Sequence, residues 1–197
     1  MPTAPSFYQF LQQMLGTAPE AEPTPQPQRT KDIALPGAKP APTWTPELER
    51  LIEAKARAAG IDPQLADRLV AKESTYNPMA AFPKHPKKLA LQAVGLTQLR
   101  PLTAKEMGVT DRTDPEQNLA GGFGYLKKLI DQYDGDVRTA LMAYNLGPTA
   151  LARAIALPPT PPQNPRAAKT YYAQQKAYTQ AQHYADSLLA PAEKKVR

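Results

Sequence analysis

The sequence predicts a mainly α-helical domain over residues 45–190. Three pairs, Thr45-Pro46, Asp62-Pro63 and Asp114-Pro115, each join an N-cap side chain to a proline suited to a first helical turn. Apolar residues follow each pair at the three- and four-residue spacing of a buried helix face. No segment alternates convincingly as a strand does, so we expect at most a very small β-sheet near residues 79–97.

The elements of this domain can be placed in order. The first helix starts at Pro46 and stops at Gly60, and the second runs from Pro63 to about Ser74. The others are expected over residues 115–135, around 137–144, and from about 166 to 188. Glycines at 121, 122 and 124 reduce helix propensity in the helix expected over residues 115–135, so we expect close helix packing there.

The residues before the domain predict two further segments. Residues 1–15 contain a short amphipathic helix, and residues 16–44 are a proline-rich, extended linker. A helix this short is marginal alone and should dock, either on a partner protein or on its own domain. Its polar face lacks Lys and Arg, so we expect no stable membrane insertion.

Composition limits the classes of partner and cofactor that we expect this protein to bind. The formal net charge is +6 at pH 7, which suits an anionic partner such as a cell-wall polymer. Lys and Arg are scattered, so we expect no nucleic-acid partner. Cysteine is absent and the two histidines, His85 and His183, lie far apart, so we expect no metal and no cofactor. Residues 1–5 carry no basic side chain, and no continuous apolar stretch follows, so no secretory signal is recognised.

Glu73 is the most informative residue. It shares one helix face with Leu65 and Leu69, so its carboxyl lies at the edge of an apolar surface. Partial desolvation favours the protonated acid. A protonated carboxylic acid in such a place is what cleavage of a glycosidic bond requires.

Motifs that follow Glu73 resemble a known family. Glu73-Ser74 is followed by Gly95-Leu96-Thr97-Gln98 and by Ala143-Tyr144-Asn145. Supporting matches are Tyr76-Asn77-Pro78, the stretch from Leu99 to Ala104, and Asp114-Pro115 to Leu126. In this order the motifs resemble the catalytic domain of the soluble lytic transglycosylases over about residues 45–185. The resemblance implies a lysozyme-like fold and peptidoglycan glycan strands as the substrate.

The resemblance also implies roles for residues. Glu73 would be the single general acid/base, and the 6-hydroxyl of N-acetylmuramic acid (MurNAc) would attack its own anomeric carbon to give a 1,6-anhydro product. Substrate-binding roles would fall to Ser74, Gln98, Tyr144, Asn145 and Tyr171. Ser74 has the competing interpretation of a helix-end serine that bonds the backbone. Glu73 is a candidate partner for the Tyr144 hydroxyl. Thr97 departs from the methionine common at its position, and Tyr172 competes with Tyr171 in register.

Other interpretations stay open at this point. A goose-type-lysozyme-like hydrolase would share the fold but use water, and a non-enzymatic virion or secretion-channel component would only bind glycan. Compared with the family pattern, residues 79–94 resemble an insertion. This insertion would be either a basic lip that binds anionic stem peptides or a solvated loop. The first choice for delivery is a bacteriophage virion acting in the periplasm and cell wall; a secretion or conjugation apparatus is second. Residues 6–15 would contact other proteins of either assembly.

Overall fold

The computed structural model describes residues 44–81 and 92–190. The expected docking helix of residues 1–15, nearly all of the linker, and most of the insertion at 79–94 lie outside these ranges. Seven helices form within them: α1 (Pro46–Ala59), α2 (Pro63–Ser74), α3 (Pro101–Glu106), α4 (Pro115–Gln132), α5 (Val137–Leu146), α6 (Pro148–Ile155) and α7 (Pro165–Leu189). Between residues 92 and 100 the strand-like pairing is one antiparallel bridge, Val94 to Leu99. The mainly α, lysozyme-like prediction is therefore confirmed.

The helix starts follow from the predicted caps. Thr45 Oγ1 accepts a hydrogen bond from the Leu48 amide at 3.2 Å, and Asp62 Oδ1 accepts from Leu65 at 2.9 Å. Asp114 Oδ1 accepts from the Gln117 amide at 2.8 Å. Each cap satisfies an amide that the first turn of a helix leaves without a partner.

Helix packing places the end of α2 against the last helix. α1 packs on α2 and α4, α4 packs on α5, and α7 packs along α5 while also contacting α2. Phe123, Leu126 and Leu141 are fully buried between these helices. Each buries enough apolar surface to contribute about 1.5–3 kcal/mol. The carboxyl end of α2, which carries Glu73, is consequently covered by α7.

Two of the three α4 glycines are required by close packing. A Cβ on Gly121 would lie 2.5 Å from Val109 Cγ2, and one on Gly122 would lie 2.4 Å from the Thr97 side chain. Gly124 differs, because its nearest neighbour would be Met107 Sδ at an ordinary 3.6 Å. The prediction of close packing is right for Gly121 and Gly122 and wrong for Gly124, which faces a more open part of the interface.

Among the described residues, no helix combines the length and the apolar character needed to span a bilayer.

Candidate active site

Glu73 lies in the last turn of α2, where the chain makes a tight exit. Thr75 and Tyr76 both have positive φ, at 52° and 59°. The Tyr76 hydroxyl returns to α2 and donates to both carboxylate oxygens of Asp67 at 3.0 Å. This contact stabilises the left-handed turn and so holds the helix end that carries Glu73.

The Glu73 carboxyl is partly buried and has one side-chain hydrogen bond to the described residues. Burial raises its pKa above the ordinary value for glutamate. The Tyr184 hydroxyl donates to Oε1 and lowers the pKa by less, and the positive charge of Lys72 lowers it further. Because the rise prevails, Glu73 keeps its proton at a higher pH than an exposed glutamate does, as a general acid requires.

Tyr184 was not predicted from the sequence as a site residue. It lies on α7 in a buried stripe with Ala181, Ala185 and Leu188, whose spacing of three and four residues was the available signal. Arg68 of α2 donates to the Leu188 carbonyl at 2.6 Å and so joins the two helices beside this contact. Burial raises the pKa of Tyr184, so its hydroxyl remains a neutral donor.

Tyr144, on α5, is close to Glu73 but does not bond it. Its hydroxyl donates to the Thr97 carbonyl at 2.9 Å, so Glu73 is not its partner. Burial raises its pKa, and the nearby Glu73 charge adds to that rise. The Tyr125 ring packs against it with centroids 5.7 Å apart. Tyr144 is therefore fixed at both its hydroxyl and its ring.

The loop that contains Gln98 is held by one buried side chain. Asn118 Oδ1 accepts from the Thr97 amide at 2.9 Å and from Thr97 Oγ1 at 2.8 Å. Its Nδ2 donates to the carbonyls of Val94 and Arg112, both at 2.9 Å. We call Asn118 together with residues 94–99 the loop clamp. Thr97 is fully buried within it, so its side chain packs inside the loop.

The clamp sets Gln98 in a left-handed conformation, with φ of 49°. Its Nε2 donates to the Gly95 carbonyl at 3.0 Å and to the Ala80 carbonyl at 3.3 Å. The second bond links this loop to the segment that follows α2. The Gln98 side-chain amide is thus held by two backbone carbonyls.

Three predicted site residues remain to be placed: Ser74, Asn145 and Tyr171. Ser74 is buried and its hydroxyl donates to the Val70 carbonyl at 2.9 Å, which is the competing backbone interpretation. Asn145 is exposed and lines a pocket with Tyr144. Tyr171 is buried, contacts the Pro159 carbonyl at 3.5 Å and packs edge-on against Tyr172. From α7, the hydroxyl that reaches Glu73 is that of Tyr184.

A pocket opens beside Tyr144. Its polar and aromatic wall comprises Gln98, Arg100, Thr103, Tyr125, Tyr144 and Asn145. It therefore combines an amide-bearing loop, two tyrosines whose rings are tilted against each other, and one cation. Such a mixture of flat rings and hydrogen-bonding groups suits a polar ligand with apolar ring faces.

Other acidic side chains have structural partners. Asp111 accepts from the Thr113 hydroxyl and Asp136 from the Thr139 hydroxyl, and these bonds lower the pKa of each carboxyl. Asp114 caps α4, and Glu116 pairs with Lys55 at 3.3 Å. Across residues 44–81 and 92–190, no three His, Asp or Glu side chains converge as metal ligands would. Glu73 is thus the acidic group whose pKa the described structure raises.

Comparison with known proteins identifies the family of this chain. The family model described as Transglycosylase SLT domain matches residues 50–166. A transglycosylase of Enterobacteria phage PRD1 is 42% identical over 96 residues, which are 49% of this chain and 33% of the relative. Membrane-bound lytic murein transglycosylase F of Desulfosudis oleivorans is 40% identical over 111 residues, 53% of this chain and 23% of the relative.

The same-named protein of Alcanivorax borkumensis is 36% identical over 108 residues, 52% of this chain and 22% of the relative. The matched part of the chain therefore spans a third or less of these relatives. The family match extends from α1 to the start of α7 and includes Glu73, the loop clamp and Tyr144. By its sequence and its fold, the chain belongs to the transglycosylase SLT domain family.

Proposed function

We propose that this protein is a peptidoglycan lytic transglycosylase. It would cleave the β-1,4 bond between MurNAc and N-acetylglucosamine (GlcNAc) and leave a 1,6-anhydro-MurNAc end. The observation that carries the proposal is the environment of Glu73. Its carboxyl is desolvated by burial, contacted by one tyrosine hydroxyl, and accompanied by no second acid with a raised pKa in the described residues.

In the first step, Glu73 donates its proton to the glycosidic oxygen. The bond from that oxygen to the MurNAc anomeric carbon breaks, and GlcNAc leaves with the proton. Glu73 is then a carboxylate, and the Tyr184 hydroxyl that donates to Oε1 stabilises the new charge. Tyr184 acts here as a positioning residue, because its contact is with Glu73.

In the second step, the MurNAc 6-hydroxyl attacks the anomeric carbon and Glu73 accepts the hydroxyl proton. The 1,6-anhydro ring closes and the acid is restored, so one carboxyl serves both steps. A hydrolase of the usual retaining type needs a second carboxyl about 5 Å away. The structural roles of Asp111, Asp114, Glu116 and Asp136 favour the single-acid route.

Mass spectrometry of muropeptides released from purified sacculi tests this proposal. We expect wild-type protein to release products lighter by one water than those of a lysozyme. Glu73→Gln should reduce the rate by about 10³-fold, because the acid/base is lost while the Tyr184 hydroxyl keeps an acceptor.

The alternatives give different products. Ordinary reducing ends would identify the goose-type-lysozyme-like hydrolase and overturn the single-acid route. Binding of sacculi by wild-type protein with no release of muropeptides would identify a structural component. Near-wild-type release by Glu73→Gln, with its fold verified by circular dichroism, would overturn the assignment of Glu73.

We further propose that a phage virion delivers the enzyme, which would open the cell wall locally during infection. The identity of 42% to a phage PRD1 transglycosylase supports this route. Peptides of the protein should then be recovered from purified virions, and residues 6–15 should be needed for that recovery. A gene neighbourhood of conjugation proteins and virions lacking the protein would favour the secretion route.

A further inference from the structure

The pocket beside Tyr144 contains one charged side chain, Arg100. The other groups of its wall are neutral: amides, a threonine, tyrosines and backbone. Arg100 is exposed and precedes α3 directly, so its guanidinium is available to a ligand in the pocket. A single cation in an otherwise neutral wall suits an anionic group of a ligand, whereas glycan hydroxyls and acetamido groups carry no charge.

Three arginines outside the pocket have partners in the described structure. Arg57 pairs with Glu53 at 2.6 Å, and Arg138 pairs with Asp186 at 2.8 Å. Arg68 donates to the Leu188 carbonyl. Within residues 44–81 and 92–190, Arg100 has neither an acidic partner nor a side-chain hydrogen bond.

The acidic group that acts on Tyr125 together with Arg100 has a partner of its own. Arg100 and Glu106 act on Tyr125 in opposite directions, so both charges lie near this ring. Glu106, however, forms an ion pair with Lys128 of α4. The acid is thus already compensated, and the pocket keeps the positive charge of Arg100 for an incoming anion.

We propose that Arg100 binds a carboxylate of the substrate and so makes the pocket a subsite for anionic muramyl residues. This inference rests on the proposed function. A guanidinium matches a carboxylate with two parallel N–H donors, and Thr103 and Asn145 supply further polar groups beside it. Peptidoglycan offers such carboxylates in two places, the stem peptide and, once that peptide is removed, the lactyl group of MurNAc.

Three substrates distinguish these sources. The first is uncrosslinked glycan strands with intact stem peptides. The second is the same strands after an amidase has removed the peptides and freed the lactyl carboxylates. The third is the peptide-free strands after their lactyl carboxylates have been converted to neutral amides. Release of anhydro products from each gives KM and kcat for wild-type protein, Arg100→Gln, Arg100→Lys and the control Arg153→Gln.

We expect Arg100→Gln to raise KM about tenfold on an anionic substrate, with little change in kcat and no change on the neutral strands. A rise confined to the first substrate identifies the stem peptide, and one confined to the second identifies the lactyl group. Arg100→Lys should retain part of the effect. Arg153, an exposed arginine of α6 outside the pocket, should be replaceable without a change in KM.

Two results would overturn the inference. One is an unchanged KM for Arg100→Gln on all three substrates. The other is an equal rise on all three, which would indicate contact with neutral sugar groups. Wild-type protein that releases no product from any strand would instead overturn the proposed function, so the two failures are distinguishable.

Discussion

Glu73 and the loop clamp lie near each other but satisfy their polar groups in opposite ways. In the clamp, the amide of Asn118 has four hydrogen bonds at 2.8–2.9 Å, and no buried side-chain polar atom of the described residues is without a partner. Glu73 is partly desolvated, and one tyrosine hydroxyl contacts it. The clamp therefore supplies rigidity, whereas the helix end holds a carboxyl in a state that suits proton transfer and disfavours its charge.

This contrast separates stability from activity. Changes in the clamp should lower the free energy of unfolding, because they break satisfied contacts. Changes at Glu73 should lower the rate and leave stability equal or higher, since functional sites commonly reduce stability. Two pairs of variants and one single variant test this separation.

The largest stability effect is expected from Gly122→Ala. The new Cβ would lie 2.4 Å from the Thr97 side chain, which Asn118 holds in place. We expect a loss of about 2–3 kcal/mol in the free energy of unfolding, measured by urea denaturation. Activity should fall as well, because Gln98 directly follows Thr97.

Gly124→Ala is the matched control on the same helix. Its Cβ would meet only Met107 Sδ at 3.6 Å, so the higher helix propensity of alanine should raise stability by up to about 1 kcal/mol. Equal effects of the two substitutions would show that the clamp adapts and does not define a rigid wall.

How much of this arrangement the sequence predicted depends on the range of each interaction. The caps at Thr45, Asp62 and Asp114 were predictable because each bonds an amide three residues away. The hydroxyl of Tyr184 reaches Glu73 across 111 positions of sequence. Spacing within α7 identifies its buried stripe but does not specify which residue of α2 it meets.

The hydrogen-bond partners of the tyrosine hydroxyls were harder still to predict from the sequence. Glu73 was a candidate partner for the Tyr144 hydroxyl, because a buried tyrosine needs one, yet this hydroxyl donates to a backbone carbonyl of the loop clamp. Backbone carbonyls carry no residue identity, so no motif indicates them. The same reason explains Ser74, whose hydroxyl donates to Val70 within its own helix.

An intermediate effect is expected from Tyr184→Phe. Removal of the donor should lower kcat/KM about tenfold, because the carboxylate formed in the first step loses its partner. The Tyr184 bond lowers the pKa of Glu73, so its loss should raise that pKa further. The alkaline limb of the kcat/KM profile, where the acid loses its proton, should therefore move to higher pH.

Tyr178→Phe, on the same helix and half-buried, serves as the control and should leave the profile unchanged. If the alkaline limb of the Tyr184→Phe profile moved to lower pH, the Tyr184 hydroxyl would stabilise the protonated form of Glu73. Its proposed role of stabilising the carboxylate would then be wrong.

The smallest effect concerns the stability of Glu73→Gln. Because the folded-state pKa of Glu73 is raised, the folded protein binds more protons than the unfolded chain between the ordinary and the raised pKa. Stability of the wild type should therefore fall as pH rises through that window, with no penalty below the ordinary pKa. Glutamine remains uncharged and can still accept the Tyr184 hydrogen bond. Thermal unfolding should show a higher Tm for the variant at neutral pH and equal values at acid pH. If the wild type were instead more stable than Glu73→Gln at neutral pH, Tyr184 and Lys72 would lower the pKa of Glu73 by more than desolvation raises it. Glu73 would then be ionised and suited to act as a base.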